Sequence, residues 1–191
     1  MNKTMIAYYS KYGHTKQYAQ WLAEELNADI CEINDLDFSK LSDYSTIVLG
    51  SSIYAGTNKA AAALVKNFDK IKDKKIALFT CGLTDISSEE ILADRDKQLE
   101  TAIPPEIREK IKIFHLRGGM DYENLNFMYK TMIKMLSKSL LKKPAETLTQ
   151  KDKDILAAYE QKIDFSDKKN LKPIVEYCLN KKNDLYRRRK N

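Results

Sequence analysis

Five apolar runs, each separated from the next by a helix-forming stretch, confine this chain to a narrow set of folds. Residues 3–9 read as a buried strand, and a helix follows from about Thr15 to Leu26, with Tyr18, Ala19, Leu22, Ala23 and Leu26 at helical spacing. "DICEIN" (29–34) alternates like an edge strand. "STIVLGSS" (45–52) and "KKIALFTCG" (74–82) are continuous apolar runs of the kind found in the middle of a parallel sheet, and "KIKIFHLRG" (110–118) reads as a fifth strand. Between them lie "NKAAAALVKNFDKI" (58–71) and a charged, helix-prone stretch at 88–100 that ends before Pro104 and Pro105. Two further helices, roughly 149–163 and 170–182, close the chain. Such alternation predicts an α/β fold, a five-stranded parallel sheet with helices on both faces and right-handed crossovers. A ligand is then expected outside the carboxyl ends of the strands, beside the reversal in strand order.

Three of those ends carry small or hydroxyl residues: 10–15, 50–56 and 80–82. In the first, Ser10 and Thr15 offer hydroxyls, Gly13 lets the backbone approach closely, and a helix begins. Free amides at a helix start, aided by its dipole, favour an anion such as phosphate without any lysine. A generic strand-to-helix turn with Ser10 and Thr15 as caps would read the same way. Neither G-x-x-x-x-G-K-[ST] nor G-x-G-x-x-G occurs, so a P-loop and a nicotinamide fingerprint are unsupported. A phosphatase loop needs an Arg six residues after its Cys, where Cys31, Cys81 and Cys178 have Asp37, Ser87 and Asp184. A receiver domain needs acids at the end of the first strand, where Ala7, Tyr8, Tyr9 and Ser10 stand.

What remains resembles the flavodoxin family. Its opening signature is matched by Ile6, Tyr8, Ser10, Gly13, Thr15, Ala19 and Leu22 at the required spacing, with Ala7 the one departure. The resemblance implies a flavodoxin-like three-layer sandwich, strand order 2-1-3-4-5, and FMN as cofactor. Ser10, Lys11, Tyr12, Gly13, His14 and Thr15 would hold its phosphate. The second loop, Ser51, Ser52, Ile53, Tyr54, Ala55 and Gly56, would flank the isoalloxazine ring, and the third, Thr80, Cys81, Gly82 and Leu83, would run along its far edge. Gly56 and Gly82 would permit close approach, and Tyr54 would stack on the ring or stand as a surface tyrosine. Lys11 reads as an exposed turn residue and a bystander. The sequence supplies His14 with no partner. Cys81 reads as a small buried residue, Trp21 as packing, and His115 as structural.

Composition matters chiefly for partners. The net charge is +6, yet 127–143 and 181–191 carry +5 each, which leaves −4 on the rest. In "FMYKTMIKMLSKSLLKK" (127–143) lysines recur at 130, 134, 138 and 142, with methionines and leucines between them. Drawn as a helix, this is a lysine ladder beside an apolar, methionine-rich side. It either covers the sheet or meets an anionic membrane or a bulky apolar substrate.

A "S-I-x-x-G" second loop (52–56) and a Tyr before a basic, Met-rich helix (129–135) are similar to the menaquinone-dependent protoporphyrinogen dehydrogenases, a branch of the same family. The chain departs from that branch at 86–106, which is acidic and helical where the branch has a basic insertion. The branch implies an FMN-dependent oxidoreductase acting on a quinone, a porphyrinogen or a similar flat acceptor. The alternative is a flavodoxin electron carrier between redox protein partners, although carriers are strongly acidic around the flavin. No protein acid or base stands out, so no catalytic residue is assigned.

The expected organisation is one domain over 1–182, with 123–148 an inserted amphipathic segment, and a basic tail at 183–191. Four basic residues without interleaved aromatics give no reason to expect nucleic-acid binding. The three cysteines form no C-x-x-C pair and predict neither disulfides nor a metal site. With no apolar run near ~20 residues and no signal-peptide pattern, the expected location is the cytoplasm. Peripheral contact at the inner face of the membrane would come through 127–143.

Overall fold

A computed structural model describes residues 3–54 and 57–180, without the side chains of Ile53 and Tyr54. The elements in chain order are β1 (Lys3–Tyr9), α1 (His14–Leu26), β2 (Asp29–Glu32), β3 (Tyr44–Tyr54), β4 (Thr57–Asn58), α2 (Lys59–Ile71), β5 (Lys75–Gly82), α3 (Glu89–Ala102), α4 (Pro105–Arg108), β6 (Lys112–Arg117), β7 (Gly119–Asp121), α5 (Phe127–Leu140), α6 (Gln150–Ala158), β8 (Lys162–Asp164) and α7 (Lys172–Leu179). The main sheet has the order β2-β1-β3-β5-β6, all parallel, with the two-residue β4 turned back on β3. Counting only the parallel strands, this is the expected order 2-1-3-4-5.

Successive residues of a strand point to opposite faces, and the central strands are apolar on both. One face sends Ala7, Ile47, Leu49, Ile76 and Leu78 against Leu64 and Ile71 of α2 and Leu99 of α3. The other sends Ile6, Tyr8, Val48, Ala77, Phe79 and Leu116 against Tyr18, Ala19 and Leu22 of α1 and Ile174 and Cys178 of α7. Trp21 sits edge-to-face on Tyr18, at 5.6 Å between ring centroids, and packs against this second core. The register aligns Tyr9 with Ser51, Ser51 with Thr80, and Gly82 with Arg117. The carboxyl ends of four strands therefore open at one level, which is what places the loops together.

The chain after β6 differs from the sequence expectation. The helix expected over 149–163 stops at Ala158, because Glu160 takes a left-handed backbone conformation (φ 56°). The following residues form β8, which pairs antiparallel with β7, Met120 opposite Ile163. Gly119 is required there, since a Cβ would collide with the Ile163 carbonyl. A small third core joins this two-stranded sheet to the added helices: Met120, Leu125, Tyr129 and Ala158, with Tyr12, Leu83, Ile133 and Ile163 against them. Asn126 caps α5 by accepting from the Tyr129 amide at 3.0 Å, and Thr149 and Asp152 form a reciprocal box at the start of α6.

Candidate functional site

At the carboxyl ends of β1, β3, β5 and β6 the surface opens into a cleft of about 250 Å³. Of the residues marked from sequence, Ser10, Lys11, Tyr12, His14, Thr15, Ser52, Cys81, Gly82 and Leu83 line it. The first loop is built as an anion cradle would be. Gly13 has φ 96°, a conformation disfavoured for residues with a Cβ, and nothing lies within 4 Å of where a Cβ would be. The Gly13 amide donates to Ser10 Oγ at 3.1 Å, which fixes the turn and leaves the Ser10 hydroxyl hydrogen available. No side chain caps α1 and its own first turn contains no acid, so its leading amides and dipole face the loop. Thr15, in that first turn, is 3% exposed and stands beside the Cys81 thiol.

Burial pushes the Cys81 thiol up to about 12, so it is neutral at ordinary pH and offers no thiolate. Lys11 is exposed in the turn, as expected, and its ammonium lies over the Tyr129 ring, 4.9 Å from its centroid, at the cleft wall. His14 also has partners that only the fold supplies. Its Nδ1 lies 3.3 Å from Asp164 and 3.4 Å from Ser166 Oγ, both brought in by β8. Gly118 and Gly119 make room for the ring: a Cβ on either would crowd His14. Burial opposes ionisation of Asp164, yet hydrogen bonds from Ser166 and the charge of His14 keep its carboxyl below the usual range.

Three marked residues are placed differently. The Ser51 hydroxyl is fully buried and accepts from the Ala60 amide at 3.2 Å, tying β3 to the start of α2. Thr80 faces the opposite side of β5 from Cys81, its Oγ1 2.6 Å from His115 Nδ1. Gly82 lines the cleft, but the space of its missing side chain is taken by the Arg95 guanidinium, 2.9 Å from a would-be Cβ. Arg95 and Arg117 brace the third loop. Arg95 donates to the Thr84 carbonyl and hydroxyl, and Arg117 donates to the Leu83 carbonyl and bridges Asp85 and Asp154 at 3.2 and 3.3 Å. Ala55 and Gly56, like the tail 183–191, lie outside the described residues, as do the side chains of Ile53 and Tyr54.

His115 Nε2–H donates to Asp96 at 3.1 Å, leaving Nδ1 to accept from Thr80. Burial holds this imidazole below its ordinary 6.5, against the opposing pull of Asp96. An unfolded chain binds a proton at His115 below about 6.5 where the folded chain does not, so acid favours unfolding. Stability is expected to decline as pH falls from about 6.5 through the lowered folded value. In urea titrations across that range, His115→Asn should flatten the decline; an unchanged slope would contradict the assignment.

Of the opposite wall, only the part after β6 went unmarked in the sequence; the α5 part lies in the segment 127–143 singled out there. Gly119, Met120 and Leu125 follow β6, and Tyr129, Met132 and Ile133 come from α5. The signal for the first group is in the chain: β6 ends at the same level as its neighbours and the glycine pair 118–119 follows it.

A family model described as Flavodoxin domain matches residues 5–147. The chain belongs to the flavodoxin domain family. The match includes α5, while α6, β8 and α7 lie beyond it. The chain is also 33% identical over 150 residues to the uncharacterized protein MJ0298 of Methanocaldococcus jannaschii, covering 73% of this chain and 99% of that one. Among solved structures it is similar to oxidised Flavodoxin 2 from Bacillus cereus, with 21% identity, 60% and 84% of the two chains covered and a TM-score of 0.42. A flavoprotein from Lactobacillus acidophilus in complex with FMN gives 16%, 61% and 93%, and 0.37.

FMN is the cofactor of flavodoxins, and the residues present fit it. The open cradle at Gly13, the uncapped start of α1 and the hydroxyls of Ser10 and Thr15 suit a phosphate dianion. The apolar lining beyond them suits a flat ring. Among the described residues no group of His, Cys, Asp and Glu could hold a metal, and no helix is long and apolar enough to cross a membrane.

Proposed function

We propose that this flavodoxin-family protein is an FMN-dependent oxidoreductase whose second substrate is a flat, apolar electron carrier of the quinone or porphyrinogen class, as in the menaquinone-dependent protoporphyrinogen dehydrogenases. One observation carries the reading. The cleft fed by the flavodoxin loops is closed on its far side by Tyr129, Met132 and Ile133 of α5, together with Met120 and Leu125. This adaptable apolar wall stands beside the place of the cofactor ring and offers a flat apolar molecule a surface, where a carrier steered to a protein partner would carry charge around the flavin.

Bound FMN supplies reversible one- and two-electron transfer. The chain does the rest. Gly13, the first amides of α1 and the hydroxyls of Ser10 and Thr15 hold the phosphate. Ser52, Gly82 and Leu83 border the ring, and Arg117 with Asp85 keeps the third loop in place. The α5 wall excludes water and gives a second flat molecule an apolar surface to lie on.

The test has two stages. Titration with FMN should quench flavin fluorescence, and Ser10→Ala with Thr15→Val should weaken binding at least about tenfold, since hydrogen bonds to a charged phosphate contribute about 1.5–3 kcal/mol each. Unchanged affinity would place the phosphate elsewhere. The FMN-loaded protein is then assayed anaerobically with menaquinone and protoporphyrinogen, and separately with a redox protein. Turnover of the small molecules supports the proposal. Electron exchange with the redox protein alone would make the chain a carrier.

A further inference from the structure

The sequence suggested that the apolar side of 127–143 covers the sheet or meets something outside the chain, and the fold separates the two. The helix α5 is fixed to the body along one line, Tyr129, Ile133, Ser137 and Leu140. Its methionine-rich side is not that line. Met128 is 64% exposed and Met135 68%, and Met132 and Leu136 continue their stripe; Phe127, 87% exposed, and Leu141, 68%, stand at the two ends of the helix, in line with the lysine row. Large apolar side chains gathered on one exposed helix mark a contact surface.

Charge identifies the occupant. Lys130, Lys134, Lys138 and Lys142 run alongside the stripe at four-residue intervals, and none of them has a salt bridge among the described residues. Lys143 is the exception, 3.7 Å from Asp152. The helix itself contains no acid. Exposed Phe and Met beside uncompensated lysines are what a helix needs to lie in the headgroup layer of an anionic bilayer. A second copy of this chain would bring two lysine rows together, which like-charge repulsion opposes. At 14 residues the helix is too short to span the membrane.

We infer that α5 docks this protein on an anionic membrane surface, with Phe127, Met128 and Met135 entering the acyl boundary and the lysine row meeting lipid phosphates. Met132 belongs both to the exposed stripe and to the wall of the cleft. Docking therefore sets the cleft's edge against the lipid, where a quinone or porphyrinogen is concentrated. That consequence rests on the proposed function, whereas the docking itself does not.

Sedimentation of the full chain with vesicles tests the docking, with and without FMN. Binding is expected to vesicles containing phosphatidylglycerol, to be negligible on phosphatidylcholine alone, and to weaken with salt. Changing Lys134, Lys138 and Lys142 to Gln together should lower vesicle affinity about a hundredfold, from about a fivefold loss for each basic residue at the surface. Phe127→Ser with Met128→Ser and Met135→Ser should lower it at least about tenfold. None of these side chains lines the flavin cleft, so FMN affinity should be unaltered in both variants. Equal or no binding to the two vesicle types would overturn the inference. So would full binding by both α5 variants that disappears on removing 187–190, which would assign it to the tail. Self-association that Met135→Glu abolishes, without vesicle binding, would make the stripe an interface between copies.

Discussion

Gly13→Asp is expected to lower FMN affinity roughly a hundredfold or more while leaving the chain folded. Two causes add. The residue at 13 holds φ 96°, ψ −33°, which an L side chain adopts at a cost of about 1–3 kcal/mol. A carboxylate there also faces the phosphate, and two unit charges 4 Å apart interact by about 4 kcal/mol at an effective dielectric of 20, before solvent on the exposed side reduces it. Gly13→Ala carries the backbone cost without the charge and should lose about tenfold, so the pair separates the two effects. Isothermal titration gives the affinities and circular dichroism checks the fold. An affinity for the Asp variant within about threefold of the original would mean that the anion binds away from α1, and the cofactor assignment would lose its anchor.

The second large effect is expected at the far wall. Met132 lines the cleft while nearly half of its surface meets solvent, so it can change without collapsing a core. Met132→Glu puts a charge where a flat apolar molecule is proposed to lie, and desolvating that charge on binding is costly. The expected result is a loss of at least about tenfold in kcat/KM for the quinone, carried mainly by KM, with FMN affinity unchanged. Met132→Leu, of similar volume and polarity, should restore turnover. If the Glu variant turned over quinone undiminished, the second molecule would bind elsewhere and the α5 wall would be packing alone.

Much of this was legible in one dimension, for identifiable reasons. A buried parallel strand needs an unbroken apolar run, so 45–52 and 74–82 announced themselves, and the order of strands and helices left few topologies. The turn at 10–15 was legible because its requirements are local: a glycine for the left-handed backbone, hydroxyls at short spacing and a helix start. Side-chain direction at Ser51 and Thr80 was not legible. Both are hydroxyl residues at strand ends, and whether such a residue faces the cleft or the helix layer depends on the strand's phase, a difference of one position. The short β8 was missed because a three-residue strand has no periodicity to detect, and its partner β7 lies far away in sequence.

The layered parallel sheet, its crevice and the glycine turn from Ser10 to Thr15 that leads into α1 can be read from the chain alone, because each is written in neighbouring residues. Only the tertiary structure decided that His14 meets Asp164, that Arg95 takes the room beside Gly82, and that α5 walls the cleft with one side while turning its methionines to solvent. An amphipathic pattern says that a helix has an apolar side. Which part of that side is buried depends on the line along which the helix docks, and this is set by contacts between residues far apart in the chain.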